Sequence, residues 1–288
     1  MLLSYMRLKG FSHIVLVILI VLVGMVVYFS FTNSGSSNET QNIVQKVLQS
    51  SPTPTPYQFP YKTPSIEKNR SYRTVLVGDS ITASLGANAN RLREHLIEYY
   101  PDSEFVNYNY GYGSTNVESL PIRLHEQTKY LGETNPAILK QGFELIIIES
   151  FAFNPLSEYP LEEGLEKQTQ VLEQSVRDIL REKPNVALAF MTPIAPSLSE
   201  FGKGTVDLSP EQRSYWATER IAYVDNHRKF AEDHGIPVID IYEASLKENG
   251  TVDLRYVADD FIHPSEEGID LISQEIADYV YENEVFPY

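Results

Sequence analysis

The sequence predicts an α/β protein: a three-layer α/β/α sandwich around a mainly parallel, flavodoxin-like sheet. Short apolar runs alternate along the chain with longer segments whose apolar residues recur at helical spacing, which is the pattern of successive βαβ units. Residues 144–149 are almost continuously apolar, as expected for a central parallel strand that is buried on both faces. In such a sheet, functional side chains gather at the carboxyl ends of the strands.

The individual elements follow from these periodicities. Strands are predicted at 74–77, 104–110, 144–149, 185–191 and 237–241. Helices are predicted at 88–100, 117–130, 162–183, 210–234 and 265–281. The fourth helix has the best-defined ends. Ser209 and Gln212 match a capping box with Pro210 at the first helical position, and Gly235 follows the last turn.

Residues 1–31 are predicted to form a cytoplasmic tip and a transmembrane anchor. Residues 14–29 are apolar and uncharged, a length close to that of a transmembrane helix and longer than most signal-peptide cores. No Ala-x-Ala-like cleavage site follows, which favours an uncleaved anchor over a removed signal. Arg7 and Lys9 precede the segment and the next basic residue is Lys46, so the N-terminus is expected in the cytoplasm and the rest outside.

A spacer at 32–69 is predicted to separate this anchor from a globular domain at 70–288. Residues 32–40 are small and polar, and residues 41–50 carry an apolar face at helical spacing. The sequence Ser-Pro-Thr-Pro-Thr-Pro at 51–56 is typical of an extended polyproline segment.

Composition excludes several classes of function. The 288 residues carry a formal net charge of −16, so binding to nucleic acid or to anionic lipid headgroups is disfavoured. The absence of cysteine excludes a thiol nucleophile, disulfides and cysteine-ligated zinc. Asp259, Asp260 and His263 form a small cluster, but no His-x-x-x-His spacing is present, so no metal or other cofactor is expected. No feature identifies a protein partner.

The first candidate functional residue is Ser80. It belongs to the sequence Gly78-Asp79-Ser80, which directly follows the predicted strand 74–77. A strand that ends in a tight turn holds a serine hydroxyl at the edge of the sheet, and Gly78 is expected to permit the bend because glycine tolerates positive φ. The same three residues also occur in ordinary turns, so the assignment depends on a base and an acid elsewhere in the chain.

His263 is the candidate base, and Asp260 is the acid that orients it. Histidine titrates near physiological pH, and a carboxylate on its other ring nitrogen selects the tautomer and stabilises the imidazolium. Of the six histidines, His263 alone lies on a predicted loop with an acid at useful spacing. The remaining five are expected to be structural: His13, His95, His125, His227 and His234.

These motifs resemble the SGNH/GDSL hydrolase superfamily over residues 72–281. Residues 78–80 resemble its first block, 109–115 its second and 260–264 its last. The resemblance implies that Ser80, Asp260 and His263 are catalytic. It also implies an oxyanion hole formed by the backbone N–H groups of Ser80 and Gly113 and the side chain of Asn154. Around Asn154 the glycine and aspartate common in the third block are missing, and an Asn-Pro turn is the alternative interpretation.

Together with the anchor, the resemblance implies a serine esterase that hydrolyses acyl esters, usually acetyl, on extracellular or cell-envelope glycans or related small esters. One alternative is acyl transfer to sugar hydroxyls, for which a separate membrane partner is needed. The other is a non-catalytic surface-binding module with a degenerate site. Several tyrosines are expected near the site and suit either stacking on sugar rings or packing in the core: Tyr108, Tyr110, Tyr112 and Tyr159.

Overall fold

The structure, a computed structural model, describes residues 59–288. The predicted anchor at 14–29 and the spacer up to residue 58 lie outside the described residues. Between residues 59 and 288, no helix combines the length and the apolar character needed to cross a membrane.

Residues 59–288 form seven strands and seven α-helices. The strands are β1 Ser71–Gly78, β2 Glu104–Gly111, β3 Thr128–Tyr130, β4 Glu133–Asn135, β5 Leu145–Glu149, β6 Ala187–Met191 and β7 Val238–Ile239. The helices are α1 Ser80–Ala83, α2 Asn90–Tyr99, α3 Ser119–His125, α4 Leu161–Glu182, α5 Pro210–His234, α6 Ile241–Ala244 and α7 Glu266–Glu282.

Five strands form one parallel sheet in the order β2-β1-β5-β6-β7. This is the flavodoxin-like order, in which β1 and its neighbour β5 are the point where the winding reverses and where ligands bind in such sheets. Gly78 pairs with Gly111, and Val77 pairs with Ile148, so the carboxyl ends of these three strands are level. The predicted α/β fold with a mainly parallel sheet is confirmed.

Apolar side chains cover both faces of the sheet and so define three layers. On one face, residues such as Val75 and Ile146 pack against α3, α4 and α5. On the other face, Leu76 and Ile147 pack against α2 and α7. The alternation within β1 and β5 follows from the two-residue period of a strand, and burial on both sides explains why the predicted central strand has no polar face.

The largest departure from the predicted elements lies at 117–130. Helix α3 ends at His125, and the following residues form an antiparallel hairpin of β3 and β4. The two turn residues, Leu131 and Gly132, have φ values of 49° and 89°, as a tight two-residue hairpin turn requires. The predicted last strand is also shorter, because the Asp240 side chain accepts from the Glu243 N–H and caps α6. The capping box at Ser209 is confirmed.

Tyr61, within the predicted spacer, packs into the domain. Its side chain is buried, its N–H donates to the His234 carbonyl at 2.7 Å and its hydroxyl accepts from the Leu188 N–H at 2.8 Å. The end of the predicted spacer is therefore attached to β6 and to the end of α5.

Candidate active site

Ser80 is the first residue of α1 and immediately follows the turn after β1. Asp79 caps this helix, since its Oδ1 accepts from the Ile81 N–H at 2.9 Å. A methyl group at Gly78 would lie 2.1 Å from Thr82 Oγ1 and 2.7 Å from Glu149 Cβ. Gly78 is not among the residues with positive φ, so the predicted reason for this glycine is wrong. Close packing under the turn, not backbone bending, requires it.

Two carboxyl groups lie buried beneath the Ser80 turn. Glu149 Oε2 accepts from the Asp79 N–H at 3.2 Å, and Ser150 Oγ donates to Glu149 Oε1 at 2.7 Å. Burial raises the pKa of Asp79. Burial and the nearby Asp79 charge together raise the pKa of Glu149 well above its ordinary value. Glu149 does not line the cavity beside Ser80; it supports the turn from below.

Arg123, on α3, binds the ends of the two strands that approach the site. Its Nη1 donates to the carbonyls of Gly78 and Tyr110, both at 2.6 Å. Its Nη2 donates to Ser119 Oγ at 2.7 Å and to Thr115 Oγ1. Burial lowers the pKa of Arg123 to about 10, and the Asp79 and Glu149 carboxyls oppose that shift, so the guanidinium remains a cation at neutral pH.

Asp260 and His263 form the acid–base pair expected from the sequence. Asp260 Oδ2 lies 2.6 Å from His263 Nδ1, and Asp260 Oδ1 accepts from the N–H groups of Ile262 and His263, each at 2.9 Å. Burial opposes ionisation of Asp260, but the hydrogen bonds from His263 and the backbone outweigh it and lower the pKa of the carboxyl. This geometry assigns the ring proton to Nδ1 and leaves Nε2 as an acceptor.

The two side donors expected for an oxyanion are both hydrogen-bonded within the protein. Asn154 Nδ2 donates to Asp79 Oδ2 at 3.1 Å, which leaves its second hydrogen unassigned. The Gly113 N–H donates its single hydrogen to the Tyr130 hydroxyl at 2.9 Å. Gly113 does lie beside Ser80, because a methyl group at Gly113 would be 3.7 Å from Ser80 Cβ.

Ser80 and His263 line the same open cavity, which has a volume of about 610 Å³. No lysine or arginine is among its lining residues within 59–288, and Glu133 is the one carboxylate. Neither Gly113 nor Asn154 lines it. The remaining walls combine small, aromatic, amide and apolar side chains: Ala83, Ser84, Gly86, Ala87, Asn109, Gly111, Tyr112, Tyr130, Leu131 and Asn135. Of the tyrosines expected near the site, Tyr112 is therefore at the cavity.

Three loops at the site hold a non-glycine residue at positive φ. Ser114, next to Gly113, has a φ of 58°. Phe151, three residues before Asn154, has a φ of 56°, and Phe261, between Asp260 and His263, has a φ of 55°. Each such conformation costs about 1–3 kcal/mol and persists only where the surrounding packing enforces it. Strain of this kind is concentrated at functional sites.

The other histidines of the domain have structural environments. His227 is fully buried, stacks on Phe190 at 4.1 Å, and burial lowers its pKa to about 3. His95 and His125 each contact a carboxylate, Asp270 at 2.9 Å and Asp178 at 3.0 Å. Neither of these two pairs is at the cavity that Ser80 lines.

Sequence reasoning missed Arg123 and Tyr130. Arg123 stands between Leu120 and Leu124 on the buried side of α3, and a cation in such a stripe signals a buried polar role. The predicted helix 117–130 includes Tyr130, although Thr128 and Tyr130 alternate before Leu131-Gly132 as the first strand of a hairpin does.

A protein with this sheet and this arrangement of serine, histidine and aspartate is expected among the SGNH/GDSL hydrolases. The chain belongs to the GDSL-like Lipase/Acylhydrolase family, which matches residues 76–271. The matched region includes the turn at Ser80 and the loop with Asp260 and His263. The resemblance found in the sequence is therefore confirmed, and hydrolysis of esters is the activity of the family.

Solved structures share the fold. The lipase/acylhydrolase from Enterococcus faecalis is 19% identical, with 74% of this chain and 96% of that chain covered at a TM-score of 0.53. The acetyl xylan esterase AlAXEase is 16% identical, with 72% of this chain and 99% of that chain covered at a TM-score of 0.53. No curated protein matches the chain.

Proposed function

We propose that the protein is a serine esterase in which Ser80 is the nucleophile, His263 the general base and acid, and Asp260 the residue that orients His263. The observation that carries this proposal is the shared cavity. Ser80 and His263 both line it, and His263 Nδ1 is held by Asp260 at 2.6 Å, so Nε2 is the nitrogen left to accept a proton.

The reaction proceeds through an acyl-enzyme. His263 Nε2 takes the Ser80 hydroxyl proton as Oγ attacks the acyl carbon, and a tetrahedral oxyanion forms. The bond to the leaving alcohol breaks as His263 returns the proton to the alcohol oxygen. Water then attacks the acyl carbon as His263 Nε2 takes its proton. The bond from the acyl carbon to Ser80 Oγ breaks as Nε2 returns the proton to Oγ, which releases the free carboxylic acid.

The oxyanion requires donors fixed before the reaction. The Ser80 N–H and the second hydrogen of the Asn154 amide serve this role. The contact between Asn154 and Asp79 supports the assignment, because it holds the amide beside the residue that precedes Ser80. The Gly113 N–H is already engaged by Tyr130, so it reaches an oxyanion only if that hydroxyl moves away.

The substrate is an uncharged acyl ester, with acetyl on a glycan hydroxyl as the favoured case. Anionic substrates are disfavoured by the net charge of −16 and by a cavity whose lining, within residues 59–288, includes Glu133 but no lysine or arginine. Asn135 and Tyr130, which also line the cavity, offer an amide and an aromatic ring with a hydroxyl, groups that suit sugars. One of the solved structures that share the fold, AlAXEase, is an acetyl xylan esterase.

The proposal also includes the N-terminal membrane anchor and a location of the catalytic domain outside the membrane. They rest on the uncharged run at 14–29 and on the basic residues Arg7 and Lys9 before it. A domain held on a spacer outside the cell meets cell-envelope glycans directly.

The test uses p-nitrophenyl acetate hydrolysis and labelling with a fluorophosphonate. We expect Ser80→Ala to abolish both and His263→Ala to abolish turnover, while the thermal unfolding midpoint stays near that of the wild type. Ser214→Ala, on the exposed side of α5, is the matched control and should retain both signals. Full turnover by pure Ser80→Ala protein would disprove the mechanism. Labelling of Ser80 without release of acetate to water would indicate an acyltransferase, and no labelling at all a binding module.

A further inference from the structure

The Tyr130 hydroxyl stands between Gly113 and the cavity. It accepts the Gly113 N–H at 2.9 Å. Tyr130 lines the cavity with Ser80 and His263, whereas Gly113 does not. The group that a substrate at Ser80 meets on this side is therefore the phenol, not the backbone N–H behind it.

The Tyr130 ring is held in place by its neighbours. It stacks on Tyr112 with the ring centres 4.5 Å apart and an angle of 16°. The Arg123 guanidinium lies 4.2 Å from the centre of the Tyr112 ring, and the Tyr112 hydroxyl bonds Thr128 Oγ1 at 2.8 Å. Because Thr128 belongs to the same short strand as Tyr130, this bond fixes the hairpin as well as the stack.

The turn that follows Tyr130 carries local strain. Leu131 has a φ of 49°, a conformation that glycine or asparagine usually occupies, and the residue is 85% exposed at the rim of the cavity. The hairpin thus keeps leucine in an unfavourable backbone conformation directly after Tyr130. Strained conformations of this kind are common at functional sites.

The phenolic proton has no partner within residues 59–288. The one hydrogen bond of Tyr130 Oη is the bond that it accepts from Gly113, so its own O–H remains to donate. A hydroxyl that accepts from an N–H is polarised and becomes a stronger donor.

We propose that Tyr130 is a further catalytic residue, whose hydroxyl donates to the oxyanion while the Gly113 N–H supports it from behind. The position of a methyl group at Gly113 lies 3.1 Å from Tyr130 Oη and 3.7 Å from Ser80 Cβ, so the phenol and the nucleophile border the same point. The oxyanion forms three bonds from Ser80 Cβ, and in this proposal it points toward Tyr130. No covalent bond to Tyr130 forms; its proton remains on the phenol or is shared with the oxyanion.

The opposite interpretation is that the hydroxyl blocks the Gly113 N–H. The two interpretations predict opposite effects on the reaction rate when the hydroxyl is removed. If the phenol is the donor, its removal slows the reaction; if the phenol is an obstacle, its removal frees the Gly113 N–H and speeds the reaction.

The experiment compares Tyr130→Phe with the wild type and with Lys129→Gln. Phenylalanine keeps the ring and its stacking on Tyr112, and Lys129 is an exposed neighbour on the same strand that does not line the cavity. We expect kcat/KM for p-nitrophenyl acetate to fall by about ten- to a hundredfold in Tyr130→Phe, with KM little changed. The loss is below the full value of an oxyanion donor because the freed Gly113 N–H remains nearby. Lys129→Gln should match the wild type.

A binding measurement gives an independent readout. A boronic acid that forms a tetrahedral adduct with Ser80 should lose affinity in Tyr130→Phe by a factor similar to the loss in kcat/KM. A fall in kcat/KM of less than about fivefold, or a rise, would overturn the proposal. The inference rests on the proposed esterase, and the two fail differently. If wild-type protein shows no Ser80-dependent turnover or labelling, the esterase itself is wrong; if it does and Tyr130→Phe is unimpaired, only the role of Tyr130 is wrong.

Discussion

Replacement of Arg123 by methionine tests how the site is supported. The guanidinium is buried and donates to the carbonyls of Gly78 and Tyr110 at 2.6 Å each. Gly78 is the last residue of β1 and Tyr110 the next-to-last residue of β2, so both carbonyls lie just before the turn that carries Ser80 and the loop that carries Gly113. Methionine fills most of the volume but donates no hydrogen bond.

The magnitude follows from what is left unpaired. Each buried carbonyl without a donor costs about 1–3 kcal/mol. The buried Asp79 carboxylate also loses a nearby cation that favours its charged form. We therefore expect Arg123→Met to lower the free energy of unfolding by about 3–5 kcal/mol. For a domain of this size, that corresponds to a fall in the thermal midpoint of roughly 10 °C. Arg123→Lys keeps the charge but not the forked donor geometry, so it should lie between methionine and the wild type.

Urea and thermal unfolding measure these changes, and p-nitrophenyl acetate turnover measured well below the midpoint separates a lost site from a lost fold. Lys229→Met is the matched control. Lys229 pairs with Asp233 at 2.7 Å on the surface, with its side chain 69% exposed, so its loss should cost less than about 1 kcal/mol. If Arg123→Met costs no more than this control, Arg123 does not hold the strand ends and the argument is refuted.

Two further predictions concern the buried turn below Ser80. Because the folded-state pKa of Glu149 lies above its unfolded value near 4.5, its contribution to stability is present at lower pH and is lost as pH rises. Glu149→Gln should therefore show a smaller decline in unfolding free energy than the wild type as pH rises above this unfolded value, and identical slopes would contradict the raised pKa of Glu149. Gly78→Ala should destabilise the protein by about 1–3 kcal/mol, because the new methyl group would lie 2.1 Å from Thr82 Oγ1. An unchanged urea midpoint for this variant would show that the packing under the turn is loose.

Much of the fold could be read from the sequence because its signals are local. The buried strand at 145–149 and the capped helix from Pro210 are encoded in a few neighbouring residues, and both appear within about two residues of their predicted bounds. The hairpin at 128–135 was missed because a short stretch with a helical apolar stripe before it obscured the alternation.

The residues of the candidate site likewise fall into those that local sequence motifs predict and those that only the structure reveals. The sequence by itself determined the sheet, the Gly78-Asp79-Ser80 turn at the end of β1, and the Asp260–His263 pair, since each motif lies within a few consecutive residues. Only the tertiary structure decided that Glu149 lies under Asp79, that Arg123 joins the ends of β1 and β2, and that Tyr130 stands in front of Gly113. The physical reason is that these contacts depend on burial and on the approach of groups distant in sequence, which no local pattern encodes.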